Sequence, residues 1–264
     1  MTSFHAILLG IIEGLTEFLP ISSTAHLILT SKLFRIPSDE FIKFFEIFIQ
    51  SGAILAVIFL YFGYILKNKK LAVKVLISFL TTSLIAIPLY KIIKNFFFEN
   101  IPLIIFNLIF IGILMLLLEF LIEKRKLNIF KNLENLNLKE AIIIGVSQAL
   151  SIMPGVSRAG IVILVMLLLG YKRDESVIYS FFLSVPTIIS AGFFDLYKTG
   201  FNKVFLISKN LIPIILGFFF SFISALIVIK FFIRYLQTNN FKIFGIYRII
   251  LGLIFLILLL NGII

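Results

Sequence analysis

The chain has 264 residues, of which 61% are hydrophobic and only 14% charged, and its mean hydropathy of +1.14 excludes an ordinary soluble domain, in which about half of the residues are apolar. The net charge of +11 does not indicate nucleic-acid binding, because the basic residues lie in short connections between apolar segments rather than on one face. The absence of cysteine excludes disulfides and thiolate catalysis, and two histidines cannot build a histidine-rich metal site. The composition therefore indicates an integral membrane protein.

The first segment, residues 1–30, is apolar but has no basic start followed by a short apolar run and a cleavage site. We therefore expect it to belong to the mature protein. It is interrupted at Pro20 in LPISST, and residues 140–171 are interrupted at Pro154 in MPGVSR. Proline inside a helix removes a backbone hydrogen bond and clashes with the preceding turn, so each segment is predicted to form two half-helices with a break at membrane depth.

Windows of about 20 residues with almost no charge predict six spanning helices. They lie near 41–66, 71–90, 101–122, 176–195, 210–234 and 244–264. The predicted fold class is an all-α polytopic membrane protein with six transmembrane helices and two re-entrant hairpins of broken helices.

Basic residues are about twice as frequent in one set of connections as in the other, and this set is expected to be cytoplasmic. The predicted inner connections are 67–74, 123–140, 171–175 and 234–242; the outer basic residues include Lys203. Both termini then lie outside, so the first hairpin enters from the outer face and the second from the inner face. The inner connection 123–140 is expected to be solvated.

The two interrupted segments also resemble each other. Gly10, Glu13 and Thr16 align with Gly145, Gln148 and Ser151, and Pro20, Ser23 and Ala25 align with Pro154, Ser157 and Ala159 after a one-residue gap. Residues 45–52 likewise resemble 179–186. A unit that recurs with opposite orientation is an inverted-topology repeat, typical of transporters, in which the broken helices meet near the midplane. We predict one membrane domain made of repeats at about 1–122 and 140–264.

Glu13 and Glu17 are four residues apart and share one face of a half-helix. An ionised carboxylate in lipid costs at least a few kcal/mol, so a partner cation, a metal, a shared proton or a water-filled cavity must compensate these residues. The alternative is that both lie at an aqueous helix end.

Ser22, Ser23, Thr24 and His26 follow the first proline. His26 is one turn beyond the serines, within reach of a hydroxyl that it could deprotonate as a general base. A serine here could also be an ordinary helix N-cap, and His26 could simply bond a backbone carbonyl. His5 lacks such neighbours and is interpreted as structural.

Gly155, Ser157 and Arg158 follow the second proline, and Arg158 is the only basic residue between Lys139 and Lys172. Its planar guanidinium suits phosphate oxygens, although a structural salt bridge to Glu13 or Glu17 is the alternative. The N-termini of both second half-helices would direct free N–H groups at the same point. Together these features predict a pocket for an anion beside a nucleophile and a base.

Three further polar residues are candidates for the cavity lining. Gln148 aligns with Glu13 and is predicted to contact the substrate. Glu46 and Gln50 are one turn apart in FEIFIQSG and either line the cavity or serve helix packing, with Gln50 predicted as a substrate contact.

Four stretches resemble the bacitracin-resistance family of undecaprenyl-diphosphate phosphatases: EGLTEFLPISSTAH, FEIFIQSGAILAV, GVSQALSIMPGVSRAG and FFLSVPTIISAGFFDLYK. The likeness extends over nearly the whole chain in the family's order. It implies a membrane enzyme that removes the terminal phosphate from a polyprenyl diphosphate and so recycles the lipid carrier of cell-wall synthesis. The substrate and membrane lipids are then the partners, without nucleic acid, and the site faces the outer side of the plasma membrane.

The resemblance also implies residue roles. The family's ExxxE motif falls on Glu13 and Glu17, which are the natural ligands for the family's divalent cation, Mg²⁺ or Ca²⁺. Its serine–histidine element falls on Ser22, Ser23 and His26, and its phosphate-binding arginine on Arg158 beside Ser157. The family's second motif usually reads PGxSRSxxT, so Ala159 and Val162 replace two hydroxyl residues here.

The implied mechanism has Arg158, with Gly155, Ser157 and Thr24 nearby, holding the diphosphate. Ser23, or Ser22, attacks phosphorus while His26 accepts the proton, or else water attacks directly. A lipid-phosphate flippase or small-anion transporter is the alternative function, because inverted repeats are also a transporter design. The sequence leaves open the prenyl length, the metal and whether the protein forms a homodimer.

Overall fold

The computed structural model describes residues 1–37, 39–96, 100–199 and 208–264. Within these ranges the protein is helical and has no β-strand, only an isolated bridge between Lys131 and Tyr171. The helices are α1 (Ser3–Thr16), α2 (Ser23–Leu33), α3 (Glu40–Lys67), α4 (Lys69–Phe96), α5 (Ile101–Glu123), α6 (Leu138–Ala149), α7 (Arg158–Leu168), α8 (Arg173–Thr199), α9 (Ser208–Leu236) and α10 (Lys242–Leu260). Short 3₁₀ turns occur at Leu133–Asn135 and Leu150–Ile152.

Six of these helices are long and apolar enough to cross a membrane, which confirms the predicted all-α polytopic fold. They are α3, α4, α5, α8, α9 and α10, and their apolar stretches match the six predicted spans closely. Large apolar side chains such as Phe59 and Leu84 point outward along them, as expected for surfaces in contact with lipid. The predicted outer residue Lys203 lies outside the described residues.

The two interrupted segments are helix, break and helix. In the first, α1 ends at Thr16 and α2 begins at Ser23, so that Pro20 lies in the break. In the second, α6 is followed by a 3₁₀ turn and α7 begins at Arg158, so that Pro154 lies in the break. We call residues 17–22 the first break and residues 150–157 the second break. Entry of these segments into the bilayer from opposite faces stays a prediction.

Both breaks end in a serine with the same unusual backbone. Ser22 has φ 72° and Ser157 has φ 71°, a left-handed region that costs a non-glycine residue of the order of 1 kcal/mol or more. Each hydroxyl accepts a hydrogen bond from the next helix, Ser22 from the Ala25 N–H and Ser157 from the Gly160 N–H. The N-cap that is the alternative interpretation for the serines of the first segment is therefore present, and Ser157 forms an equivalent N-cap in the second segment.

The packing of the helices pairs each half of the chain with the other. Helix α1 packs on α9, α6 packs on α4, α3 packs on α8, and α5 packs on α10. Glycines allow these close approaches: a Cβ on Gly10 would overlap the Gly217 carbonyl in α9, and Gly112 of α5 lies against Gly245 of α10. The pairs α1/α9 and α6/α4 are those that an internal two-fold axis would exchange. This correspondence supports the predicted repeat, which stays a prediction.

The connection 123–140 is more ordered than a solvated linker. Leu133 and Leu136 are buried, and Lys131 bonds Glu140, whose other carboxyl oxygen accepts the hydroxyl of Tyr171. Burial and the bond to Glu140 raise the pKa of Tyr171. The connection therefore packs against the helix bundle through both apolar and charged contacts.

Candidate active site

The two breaks meet at a polar cleft of about 180 Å³. The first break and α2 supply carboxylate and hydroxyl groups, the second break supplies further hydroxyls, the first residue of α7 supplies an arginine, and α3 and α8 close the sides. Its lining residues are Glu17, Ser22, Ser23, Thr24, Gln50, Ser151, Met153, Gly155, Ser157, Arg158, Thr187, Ile188 and Ala191. Eight residues predicted from the sequence thus line one cleft.

Glu17 is the centre of the contacts in this cleft. One carboxylate oxygen accepts a 2.5 Å hydrogen bond from Ser23 Oγ, and the other accepts a 2.7 Å bond from Arg158 Nη2. The side chains of Arg158 and Glu17 are only 10% and 8% exposed, so water screens their attraction weakly. The Ser23 hydroxyl is therefore aligned with the Glu17 carboxylate, which can accept its proton. The salt bridge between Arg158 and Glu17, the alternative role for this arginine, is present in the structure.

Arg158 is held from a second side, because its Nη1 donates to the Ser180 carbonyl in α8. Gly155 precedes it with φ +88°, and a Cβ there would lie 2.8 Å from the Ile104 carbonyl oxygen. Glycine is therefore required at this point of the second break. The N-termini of α2 and α7 both border the cleft at Ser23 and Arg158, so their positive dipole ends favour an anion there.

His26 does not line the cleft. Its Nδ1 lies 2.7 Å from the Ser22 carbonyl oxygen, and its Nε2 lies 2.7 Å from the Tyr247 hydroxyl of α10. The two rings are stacked with centroids 5.6 Å apart. Both ring nitrogens therefore lie within hydrogen-bond distance of groups other than the Ser23 hydroxyl. This geometry matches the alternative in which His26 bonds a backbone carbonyl. A role for His26 as the base stays a prediction.

Glu13 and Gln148 are fully buried behind the cleft. Gln148 donates to Thr82 and to Thr187, and Thr187 in turn lines the cleft. Glu46 accepts a hydrogen bond from Ser31, so it joins α3 to α2 rather than lining the cleft. Of the three candidates Gln148, Glu46 and Gln50, only Gln50 faces the cleft.

The acidic residues fit a divalent cation only if the substrate completes its coordination. Among the described residues, no three histidine, aspartate or glutamate side chains cluster closely enough to bind a metal. Neither carboxylate oxygen of Glu13 has a hydrogen-bond partner in the described part of the chain, although the side chain is fully buried. An orphaned carboxylate one turn from Glu17 suits a shared cation, because Mg²⁺ is often bound by one or two carboxylates together with substrate phosphates.

Ala159 and Val162, which replace the family's hydroxyl residues, are buried in the apolar core and do not line the cleft. Val162 is 0% exposed and Ala159 is 1% exposed. The hydroxyl groups that do line the cleft come instead from Ser22, Ser23 and Thr24 in the first hairpin and from α8 and the second break.

Sequence reasoning missed five lining residues, namely Ser151, Met153, Thr187, Ile188 and Ala191. It also missed Tyr247 and Arg248 in α10. Arg248 is completely buried and lies in the predicted span 244–264, which otherwise has no charged residue. A charged side chain within an apolar span is a signal for function or for a specific partner, so Arg248 could have been found.

Comparison with known proteins identifies the family of this chain. Residues 6–254 match the family model described as Bacitracin resistance protein BacA. The chain is 40% identical to the undecaprenyl-diphosphatase of Aquifex aeolicus over 257 residues, which cover 97% of this chain and 98% of that protein. It is 45% identical to the enzyme of that name from Sulfurihydrogenibium sp. and 44% identical to that from Wolinella succinogenes, again over 97% of this chain and 98% of each relative. The chain therefore belongs to the BacA family.

Proposed function

We propose that this protein is a membrane phosphatase that hydrolyses undecaprenyl diphosphate to the monophosphate and inorganic phosphate. Relatives that match almost the whole chain carry the name of this activity. The observation that carries the proposal is the double engagement of Glu17, which bonds both Ser23 Oγ and Arg158 in one polar cleft. Recycling of this lipid carrier accounts for bacitracin resistance, the property for which the family is named.

The cleft suits a diphosphate head group. Arg158 offers a planar fork to phosphate oxygens, and the N-termini of α2 and α7 add partial positive charge. Met153, Ile188 and Ala191 form the apolar part of the lining, where the first isoprene units can leave toward lipid. Phosphoryl transfer needs mainly positioning and charge neutralisation, and both are available here.

The nucleophile in this proposal is Ser23. Its Oγ forms a bond to the terminal phosphorus while its proton passes to Glu17, and the bond from phosphorus to the bridging oxygen breaks. The lipid monophosphate leaves, and water then hydrolyses the phosphoserine to release phosphate. His26 is the other candidate base, and direct attack by water is the alternative without a covalent intermediate. The hydrogen bond between Ser23 and Glu17 favours Glu17 as the first acceptor.

A divalent cation, when bound by Glu13 and Glu17 together with the substrate, would neutralise charge on the diphosphate. The carboxylate oxygens of Glu13, which have no hydrogen-bond partner among the residues that the structure describes, support this assignment. Access from the outer face of the plasma membrane, as the family resemblance implies, also belongs to this proposal.

Phosphate release from undecaprenyl diphosphate by purified protein in detergent tests the proposal. A transporter or flippase that uses the same cleft would release no phosphate, whereas an enzyme needs no gradient. We expect Arg158→Ala to lower kcat/KM by about 10³-fold or more, since it removes the main anion-binding group. Arg234→Ala is the matched control, because Arg234 is an exposed arginine at the end of α9.

The covalent route has its own measurement. A pre-steady-state burst of undecaprenyl monophosphate, from cleavage of the phosphoanhydride bond, and a phosphorylated peptide containing Ser23, both lost in Ser23→Ala, would support it. Turnover by folded Ser23→Ala at more than a tenth of the wild-type rate would leave direct attack by water as the mechanism. Near-wild-type turnover of folded Arg158→Ala would refute the assigned site.

A further inference from the structure

Arg248 of α10 is completely buried and does not line the cleft. Within the described ranges, its guanidinium donates to backbone carbonyl oxygens only. Nη1 donates to Pro20 at 3.1 Å, Nη2 donates to Gly155 at 2.6 Å, to Val156 at 3.2 Å and to Asn107 at 3.2 Å, and Nε donates to Leu108 at 3.4 Å. Three of these carbonyls belong to the two breaks, so one side chain contacts both.

This arrangement has a physical cause. A break in a helix frees backbone carbonyls, and at membrane depth no water is available to bond them. A guanidinium carries five N–H donors in a rigid plane, so one arginine can satisfy several carbonyls from different segments. In the part of the chain that the structure describes, Arg248 forms no salt bridge with a carboxylate. The carbonyl dipoles of the breaks therefore provide the compensation for its buried charge.

Asn107 of α5 makes the complementary contact. Its side-chain Nδ2 donates to the Pro154 carbonyl at 2.8 Å, while its own carbonyl accepts from Arg248. The proline carbonyl of the first break is thus held by α10, and that of the second break by α5. Helices α5 and α10 are themselves in close contact where Gly112 meets Gly245. The two breaks are consequently tied to one rigid helix pair.

We propose that Arg248, supported by Asn107, is a positioning residue that sets the distance between the two halves of the active site. The first break carries Glu17 and leads into Ser23, and the second carries Ser157 and leads into Arg158. The nucleophile and the phosphate-binding group therefore depend on a clamp that touches neither. This inference rests on the proposed phosphatase function for its kinetic consequence, but the geometric consequence stands independently.

The kinetic consequence is a selective loss of turnover. Without the clamp, Ser157 and Arg158 still lie on one segment and still bind phosphate, so KM should change by less than about threefold. The attack by Ser23 requires the other segment to be in place, and a misplacement of about 1 Å can cost about 10²-fold in rate. We expect Arg248→Lys and Arg248→Gln to lower kcat by about 10²-fold. Asn107→Leu should lower it in the same way but less.

The matched control is Arg173→Lys. Arg173 is an arginine that pairs with Glu119 and is remote from the breaks. Arg173→Lys removes a guanidinium and changes the geometry of the ion pair with Glu119. It alters no contact with either break. It should lower thermal stability while kcat per folded molecule stays within about twofold of wild type, since no group of the cleft moves.

A distance measurement separates positioning from simple stabilisation. The chain has no cysteine, so spin labels can be attached at Lys32→Cys near the end of α2 and Leu168→Cys at the end of α7, both exposed. Pulsed electron resonance should show a shifted or broadened distance distribution in Arg248→Gln and Arg248→Lys, but not in Arg173→Lys. A residue that only stabilised the fold would leave the distribution of the folded fraction unchanged.

The outcomes are distinct. Unchanged distances together with a kcat within threefold of wild type would overturn the clamp. Failure of both Arg248 variants to give folded, monodisperse protein would also overturn it, because Arg248 would then be required for the fold rather than for positioning. If the wild-type protein releases no phosphate at all, the phosphatase proposal fails, and the distance measurement alone decides on the clamp.

Discussion

Glu17 and Arg158 are separated by 141 residues in the sequence, yet their side chains form a 2.7 Å ion pair in the cleft between the two breaks. A buried ion pair adds little net stability relative to apolar packing, because both charges lose their hydration. The position of this ion pair, between Ser23 and the N-termini of α2 and α7, therefore indicates a role in the active site rather than in stability. In the proposed mechanism, an incoming phosphate competes with Glu17 for the arginine, and this competition leaves the carboxylate available to the proton of Ser23.

Glu17→Gln tests this exchange. The amide keeps the shape of the side chain but cannot accept the serine proton, so we expect kcat to fall by about 10³-fold. It also leaves Arg158 without its anion, so inhibition by inorganic phosphate should become about tenfold stronger. Steady-state kinetics with phosphate as an inhibitor measure both effects. Glu123→Gln, in an exposed ion pair with Lys242, is the control. A kcat within threefold of wild type would exclude Glu17 as the base.

His26→Asn separates the two candidate bases. The Asn Nδ2 can occupy the place of His26 Nδ1 and donate to the Ser22 carbonyl, but it cannot accept a proton near neutral pH. Because both ring nitrogens of His26 are engaged away from Ser23, we expect His26→Asn to keep kcat within about tenfold of wild type. A loss as large as that of Glu17→Gln would restore His26 as the base.

Gly10→Ala tests the close contact of α1 with α9. The new methyl group would overlap the Gly217 carbonyl oxygen, which is backbone and cannot turn aside. Overpacking of this kind costs about 1–3 kcal/mol, so Tm should fall by about 3–10 °C. Gly63→Ala is the matched control, because a Cβ there meets nothing within 4 Å. Circular dichroism in detergent measures both, and equal Tm values for the two variants would contradict the predicted overlap.

Glu140→Gln tests the charged contacts between the connection 123–140 and the helices. Burial alone would raise the pKa of Glu140, but hydrogen bonds from Lys131, from the Tyr171 hydroxyl and from the Asn137 N–H outweigh it, and the pKa is lowered from 4.5. A lowered pKa means that the carboxylate stabilises the fold above pH 4.5, and that this contribution is lost as the pH falls through the folded-state pKa.

We therefore expect Glu140→Gln to lower Tm by about 2–4 °C at pH 7, with the difference from wild type shrinking below about pH 4. The exposed Glu134→Gln in the same connection is the control, for which no change of Tm is expected at either pH. A Tm difference for Glu140→Gln that stays constant from pH 7 to pH 4 would exclude this charged cluster as its origin.

The helices could be predicted from the sequence because apolar length is a direct requirement of the bilayer. The breaks could be predicted because Pro20 and Pro154 are closely followed by serine or glycine residues. Proline alone is not sufficient, since Pro88, Pro186 and Pro213 lie inside continuous helices. The cleft could be predicted from the polar residues that follow those prolines. Eight predicted residues line it, and Glu17 and Arg158 meet although the sequence places them far apart.

Other features depend on three-dimensional contacts that one sequence does not encode locally. The orientation of His26 is decided by the Tyr247 hydroxyl, which comes 221 residues later. The positions of Thr187, Ile188 and Ala191 depend on how α8 turns toward the breaks, and a polar or small residue in an apolar helix does not reveal that. The burial of Leu133 and Leu136 could not be predicted either, because it depends on contacts with helices that are distant in the sequence.

The carbonyl of Pro20 receives its donor from Arg248, 228 residues later in the chain. During synthesis, the first hairpin emerges from the ribosome long before α10 exists. Its exposed carbonyl must remain bonded to water or to the insertion machinery until then. A hairpin that cannot be completed alone should enter the bilayer late, so that a truncated nascent chain lacking α10 would stay accessible to water at its proline.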